Sequence, residues 1–137
     1  MLRYVGVAGN RGRNLLHLEE TVDDVATLLA VVATDPAAPI VDAATDREVA
    51  VVVVDPEDFA DSAGFDAALV RAIDEYDPDL VCFDGMMQIV GADYLEAAPP
   101  TINVHPSLLP AFRGLDVHER VLHAGVEYSG CTIHLVT

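Results

Sequence analysis

Asn103 and His105 are the two residues of this sequence whose types and spacing best suit chemistry. They lie two positions apart in Thr101–His105, a segment with the composition of a β-strand, so their side chains should project from the same face. An amide can stabilise a developing oxyanion while an imidazole handles a proton, so the pair suits acyl transfer. Pro106 and Pro110 stiffen the following segment and should fix the direction of His105. The alternative is a polar pair that only hydrogen-bonds to the adjacent loop.

A glycine-containing segment near the N-terminus, Gly9–Asn14, is a candidate anion site. It follows a strand-like stretch and opens a helical pattern, so backbone N–H groups at the helix start are available to an anion. Gly9 and Gly12 allow the backbone to approach a ligand closely. Arg11 and Arg13 form the close pair of cations in a very acidic chain, which favours phosphate. The segment matches neither G-x-G-x-x-G nor the P-loop, so a tight turn with solvated arginines is an equal alternative from these residues alone.

These segments must be positioned by strands and helices that alternate along the chain. Strands are predicted at Arg3–Ala8, Thr27–Thr34, Val49–Val54, Leu80–Phe83, Thr101–His105 and Cys131–Val136. Helices are predicted at Asn14–Asp24, Ile40–Asp46, Phe65–Tyr76, Ala92–Ala97 and Val117–Ala124. The alternation predicts a single α/β domain over residues 1–137, with a doubly wound, mostly parallel sheet and helices on both faces.

In a sheet of this kind, ligands bind beyond the carboxyl ends of the strands. Three segments should meet there: Gly9–Asn14, Asp84–Val90 and His105–Gly114. We therefore expect the function of the domain to lie in these three loops.

The charge balance is extreme, with 23 acidic and 7 basic residues and a formal net charge of -16. All of the basic residues are Arg. Such a surface repels nucleic acids and anionic membranes, so we expect neither as a partner. The composition favours adaptation to concentrated salt, where carboxylate repulsion is screened.

Other features of the composition indicate a cytoplasmic protein without a metal. No apolar run reaches the length of a membrane span, and the first residues lack the pattern of a signal peptide. Cys82 and Cys131 both lie in apolar segments, and we expect them to be buried and reduced. The absence of a Cys/His cluster predicts that no metal is bound.

The segment from Asn103 to Pro110, Asn-Val-His-Pro-Ser-Leu-Leu-Pro, resembles the signature of the 10-formyltetrahydrofolate-dependent formyltransferases. Gly114–His118 and Gly130–Thr137 are most similar to the phosphoribosylglycinamide (glycinamide ribonucleotide) branch, and Gly9–Leu15 resembles its phosphate loop. The resemblance implies the Rossmann-like N-terminal domain of that family. It also implies transfer of a formyl group from 10-formyltetrahydrofolate, as co-substrate, to the amine of glycinamide ribonucleotide in purine biosynthesis. Another folate-dependent formyltransferase is the alternative.

The resemblance also implies roles for individual residues. Asn103 and His105 would be catalytic, and Ser107 and Gly114 would shape the substrate pocket. The ribonucleotide phosphate would be held through backbone groups of Gly12, Arg13 and Asn14. His118 and His134 match histidines of the same branch, but packing and hydrogen bonding could explain both.

The segment Asp84–Val90 corresponds to the folate loop of the family, whose pattern resembles Gly-aromatic-Met-Arg-Ile-Leu. Here Met86 replaces the aromatic residue and Gln88 replaces the Arg. Met87, Gln88 and Val90 would contact the folate, largely through backbone groups that survive these changes. From the residues alone, two Met beside a strand end are more often core filler.

In the family, a further segment with a third catalytic residue, an Asp, follows the strand that ends here near Thr137. The resemblance therefore implies a C-terminally truncated domain that associates with itself or with a complementing chain. Two hypotheses of different class remain: a formyltransferase, or a catalytically impaired remnant that binds nucleotide phosphate or folate. A nicotinamide dehydrogenase is disfavoured because G-x-G-x-x-G is absent.

Overall fold

The computed structural model describes residues 1–137, which form six strands, five α-helices and one short 3-10 helix. The strands are β1 (Leu2–Ala8), β2 (Ala26–Ala33), β3 (Ala50–Val53), β4 (Leu80–Asp84), β5 (Thr101–His105) and β6 (Thr132–Leu135). The α-helices are α1 (Arg13–Thr21), α2 (Pro39–Asp46), α3 (Ser62–Asp74), α4 (Ala92–Ala97) and α5 (Val117–Ala124). The 3-10 helix spans Pro56–Asp58 and is capped by Asp55, whose side chain accepts a hydrogen bond from the Glu57 N–H.

All six strands belong to one sheet in the order β3-β2-β1-β4-β5-β6. The first five are parallel, and β6 is antiparallel to β5. From the central strand β1 the chain adds β2 and β3 on one side of the sheet, and it then returns to add β4, β5 and β6 on the other side. The crevice of such a sheet opens at the carboxyl ends of β1 and β4. The predicted doubly wound, mostly parallel sheet is therefore confirmed.

Helices cover both faces of the sheet because the central strands are apolar on both sides. One core cluster joins Leu15 of α1 and Ile40 of α2 to Tyr4 of β1. The other joins Leu69 of α3 and Tyr94 of α4 to the opposite face of β1. Burial of a leucine such as Leu69 contributes roughly 1.5–3 kcal/mol, so these two clusters hold the strand ends in place.

The first helix departs from its predicted form. It ends at Thr21 rather than near Asp24, and Val25, placed in the helical pattern, is 60% exposed in the following turn. The face that packs on the sheet is centred on Leu15, while His17 points to solvent. Leu15 fits closely because Gly6 lies beneath it: a Cβ at Gly6 would stand 2.5 Å from the Leu15 Cδ1.

The two cysteines have different environments. Cys82 is buried in the centre of β4, as predicted. The prediction was wrong for Cys131, which is exposed because it precedes the edge strand β6.

None of the helices combines the length and the apolar character that a membrane span requires.

Candidate active site

The loops after β1 and β4 meet at the centre of the sheet, and two glycines allow the contact. A Cβ at Gly9 would lie 2.9 Å from the carbonyl oxygen of Gly85. A Cβ at Gly85 would lie 2.5 Å from the side-chain nitrogen of Asn10, and Gly85 has a φ of +69° that disfavours other residues. The backbones of these loops therefore approach each other more closely than residues with side chains would allow.

Asn103 and His105 lie together in a cleft of about 410 Å³ at this edge of the sheet. The loop after β4 contributes Met86 and Met87 to its wall. The opposite wall comes from the segment that leads into α5 and includes Gly114, Asp116 and His118. The two residues selected for their spacing therefore share one solvent-accessible cleft.

The orientation of the Asn103 amide is set by His134 on the neighbouring strand. Nδ1 of His134 lies 2.9 Å from the carbonyl oxygen of Leu135, so Nδ1 carries the proton. Nε2 of His134 is then an acceptor, and it lies 3.3 Å from Nδ2 of Asn103. The amide donates one N–H to His134, which leaves its second N–H and its oxygen available to a ligand.

The imidazole of His105 is oriented in a similar way by its own loop. Nε2 lies 2.8 Å from the carbonyl oxygen of Phe112, which can only accept a hydrogen bond. Nε2 therefore carries the proton in the neutral ring, and Nδ1 is left as the basic nitrogen. A half-buried imidazole with one fixed N–H and one free nitrogen can accept a proton in a group-transfer step.

Ser107 and Gly114 occupy different kinds of position. Ser107 is completely buried, and its hydroxyl donates to the carbonyl oxygen of Ala111 at 2.6 Å. It does not line the cleft, so any effect of Ser107 on the shape of the pocket comes from holding its loop in place. Gly114 does line the cleft, and its φ of +83° is one that residues with a Cβ rarely adopt.

The predicted phosphate segment borders a second hollow of about 490 Å³, which we call the cationic hollow and which shares Asn10 and His118 with the central cleft. Arg11, Arg13 and Asn14 line it, and none of its lining residues is apolar. Both guanidinium groups lie on exposed residues without a carboxylate within salt-bridge distance, whereas Arg3 and Arg47 form ion pairs. Gly12 sits beneath them as the N-cap of α1, with a φ of 58°.

Asp84 is a polar residue of this hollow that the sequence reasoning did not select. Its Oδ2 accepts the N–H groups of Asn14 at 2.9 Å and Leu15 at 3.3 Å. Its Oδ1 accepts the side-chain amide of Asn14 at 3.1 Å. An acidic residue at the end of a strand beside β1 is the signal that could have identified it.

A third hollow, of about 310 Å³, lies on the other side of Asn103 and His105 and is more apolar, and we call it the apolar hollow. Met87, Gln88 and Val90 line it, and it shares Asn103 and His105 with the central cleft. Oε1 of Gln88 is buried without a hydrogen-bond partner. An N–H group of a bound ligand would satisfy that oxygen.

Neither the buried thiol of Cys82 nor a cluster of metal-ligating side chains offers a second reactive centre. Burial raises the pKa of the Cys82 thiol to about 11, so it is protonated and unreactive at neutral pH. No group of three or more His, Cys, Asp or Glu side chains is arranged to hold a metal ion.

Together, the fold and the site define an α/β protein with a centre of the acyl-transfer type at the carboxyl end of its sheet. The sequence assigns it to a family: residues 7–137 match the family model described as Formyl transferase, and the chain belongs to that family.

Named relatives are similar over nearly the whole chain. The trifunctional purine biosynthetic protein adenosine-3 of Bos taurus is 33% identical over 138 residues, which cover 98% of this chain and 14% of the bovine protein. The phosphoribosylglycinamide formyltransferase of Bacillus subtilis is 33% identical over 142 residues, which cover 99% of this chain and 72% of the relative. The crystal structure of glycinamide ribonucleotide transformylase 1 from Symbiobacterium toebii superposes with a TM-score of 0.93 at 33% identity, covering 100% of this chain and 66% of that one. The chain thus spans only a small part of the trifunctional relative.

Proposed function

We propose that this chain carries the site for transfer of a formyl group from 10-formyltetrahydrofolate to the amine of glycinamide ribonucleotide. The observation that carries the proposal is the position of Asn103 and His105, which line both the central cleft and the apolar hollow. The cationic hollow adjoins the same cleft through Asn10 and His118. A phosphorylated acceptor and an aromatic formyl donor would therefore meet at the catalytic pair.

The chemistry follows from the hydrogen bonds of that pair. The acceptor amine attacks the formyl carbon, and a C–N bond forms to give a tetrahedral oxyanion. The free N–H of Asn103 stabilises this oxyanion, which is the largest contribution that such a site makes. The amine then loses a proton, the bond from the formyl carbon to the folate nitrogen breaks, and that nitrogen takes up a proton. Nδ1 of His105 is the group that carries protons between the two nitrogens.

Binding of the two substrates divides between the outer hollows. We assign the phosphate to the segment of Gly12, Arg13 and Asn14, and the acceptor to the pocket bounded by Gly114 and the Ser107 loop. We assign the folate to Met87, Gln88 and Val90, where the unpartnered Gln88 oxygen would accept an N–H of the ring. Two Met residues supply an adaptable apolar wall for an aromatic ring.

The net charge and the exposed edge of the sheet bear on the partners of the protein. With a net charge of -16, we expect small-molecule substrates and neither nucleic acid nor membrane as a partner. On separate grounds, the lack of a signal-peptide pattern in the first residues, we expect the reaction to take place in the cytoplasm. The edge strand β6 exposes Ile133 and Leu135 at 66% and 63%. Association there with a second copy or a complementing chain stays a prediction.

A catalytically impaired remnant is the second candidate, and one observation favours it. The carboxylate of Asp84 already accepts the N–H groups of Asn14 and Leu15, which a substrate phosphate would otherwise use. Weak binding of nucleotide phosphate or folate, without turnover, would then be the function of these residues.

The deciding experiment is a formyl-transfer assay with 10-formyltetrahydrofolate and glycinamide ribonucleotide, using the purified chain in molar KCl. Asn103→Ala and His105→Ala should each lower kcat by about 10²–10⁴-fold, as loss of an oxyanion donor or a general base does. His123→Ala, which changes an exposed histidine of α5, is the matched control. Absence of turnover from the folded chain would contradict the proposal and favour the remnant.

A further inference from the structure

Asp84 holds the position where an anion would bind at the start of α1. It is the last residue of β4, and its Cα pairs with that of Ala8 on β1, directly beside the loop that leads into the helix. Its two carboxylate oxygens accept three hydrogen bonds, from the backbone N–H groups of Asn14 and Leu15 and from the Asn14 side chain. The positive end of the helix is thus neutralised from within the chain.

The other backbone donors of this turn are largely committed as well. The N–H of Gly12 lies 3.3 Å from Oδ1 of Asn10. Among the backbone N–H groups of Gly12, Arg13 and Asn14, only that of Arg13 donates to no side chain, since Gly12 donates to Asn10 and Asn14 to Asp84. A phosphate at this turn would face the Asp84 carboxylate at short range, where like charges repel strongly.

The two arginines of the loop are the donors that remain available. Arg11 and Arg13 line the cationic hollow and have no carboxylate partner, although the chain holds 23 acidic residues. Guanidinium groups bind phosphate oxygens in a planar, bidentate geometry. Arg71, Arg113 and Arg120 form no ion pair either, but Arg11 and Arg13 lie together in the hollow that adjoins the central cleft, so their position favours an anionic ligand there.

We propose that Asp84 is a specificity-determining residue: it keeps phosphate off the backbone N–H groups of Asn14 and Leu15, so that the phosphate monoester assigned to this segment is held by the side chains of Arg11 and Arg13 rather than by the backbone. This inference rests on the proposed function for the identity of the ligand, a phosphorylated amine. Because the phosphate lies outside the turn and is held by exposed charges, its binding depends strongly on ionic strength.

Binding of ribose 5-phosphate, measured by titration calorimetry at fixed KCl concentration, tests the proposal without requiring turnover. Asp84→Ala frees the helix N–H groups, and Asp84→Asn removes the charge while keeping a side chain that caps helices well. Each variant should bind ribose 5-phosphate at least roughly tenfold more tightly than the unaltered chain, because the repulsion is gone.

The arginine part of the proposal is tested in two backgrounds. In the unaltered chain, Arg13→Gln should weaken binding by roughly tenfold, whereas Arg71→Gln, an equal change of charge at an exposed residue of α3, should have little effect. In the Asp84→Ala background, Arg13→Gln should cost less, because the backbone N–H groups then hold the phosphate. Equal costs in the two backgrounds would overturn the proposal.

Two further outcomes are decisive. If folded Asp84→Asn binds ribose 5-phosphate no better than the unaltered chain, Asp84 is only a helix cap and the inference is wrong. If neither Asp84 variant binds measurably although circular dichroism shows that both fold, the hollow is not a phosphate site. Failure of the proposed function is separate, since absent formyl transfer with the expected binding pattern would leave the role of Asp84 intact.

Discussion

The side-chain amide of Asn103 lies 3.3 Å from Nε2 of His134, and the two residues are Cα partners in the antiparallel pair of β5 and β6. The backbone carbonyl of Leu135 fixes the tautomer of His134, so the imidazole presents an acceptor to the amide. A residue on the last strand therefore decides which way Asn103 points its donors in the cleft. We interpret His134 as a positioning residue for Asn103 of the proposed catalytic pair.

Replacement of His134 tests this relationship. His134→Leu removes the acceptor, so the amide can rotate, and the loss of one hydrogen bond should lower kcat by roughly tenfold. KM for glycinamide ribonucleotide should change little, because His134 does not line the proposed phosphate hollow, although it does line the hollow assigned to the folate. The measurement is steady-state formyl transfer, with His123→Leu on exposed α5 as the control. A change confined to thermal stability would show that His134 is merely structural.

Two buried tyrosines test how much a hydrogen bond of a buried hydroxyl contributes to stability. The Tyr94 hydroxyl lies 2.7 Å from Oγ1 of Thr101, whereas the buried Tyr4 hydroxyl has no partner. Tyr94→Phe should lower the free energy of unfolding by about 0.5–1.5 kcal/mol, the usual net value of one hydrogen bond. Tyr4→Phe should be neutral or stabilising. Urea unfolding followed by circular dichroism measures both, and equal losses would contradict the hydrogen-bond assignment.

Alkaline pH should destabilise the protein, because buried tyrosine hydroxyls and a buried cysteine thiol must then ionise. Burial raises the pKa of Tyr4 and of Tyr94 from 10.0 to about 12, and that of Cys82 from 9.0 to about 11. The folded state therefore favours the protonated forms: this stability is fully present below pH 9 and is lost as the pH rises through 11 to 12. The urea concentration at the unfolding midpoint, measured from pH 8 upward, should decrease as the pH rises through 11 to 12. Tyr4→Phe should make this decrease smaller. A flat profile would contradict the predicted shifts.

Gly12, at the start of α1, is required both for its positive φ and for lack of space for a Cβ, and comparison with Gly125 separates the two effects. Gly12 and Gly125 have similar φ values, 58° and 65°, but a Cβ at Gly12 would lie 2.5 Å from Cδ1 of Ile40 while none of the neighbouring atoms lies within 4 Å at Gly125. Both alanine variants carry the cost of a left-handed residue, about 1–2 kcal/mol. Gly12→Ala should lose about 1–3 kcal/mol more, since overpacking is added. Equal urea midpoints for the two variants would refute this account.

Salt should stabilise the fold. With 23 acidic residues against 7 basic ones, carboxylate repulsion opposes the compact state in dilute buffer and is screened in molar KCl. The thermal midpoint should rise with KCl concentration, and it should rise further than in sucrose of equal osmolality, which stabilises without screening charge. Equal stability in the presence and absence of molar KCl would show that the acidic surface is not an adaptation to salt.

The sequence by itself determined the succession of strands and helices along the chain and the residue types of the proposed catalytic pair. Apolar runs and their periodicity are local properties, so β5 at Thr101–His105 and α5 at Val117–Ala124 could be predicted to the residue. The spacing of Asn103 and His105 placed both on one face, because side chains alternate along any strand. The family motif in the same segment identified the kind of chemistry.

Only the tertiary structure decided which distant groups complete the site. Asp84 meets Asn14 across 70 positions and His134 meets Asn103 across 31, and both contacts depend on the order and register of strands in the sheet. Local periodicity contains no information about which strands become neighbours, so neither contact could be predicted. The exposure of Cys131 has the same cause: an apolar sequence pattern does not distinguish an edge strand from a central one.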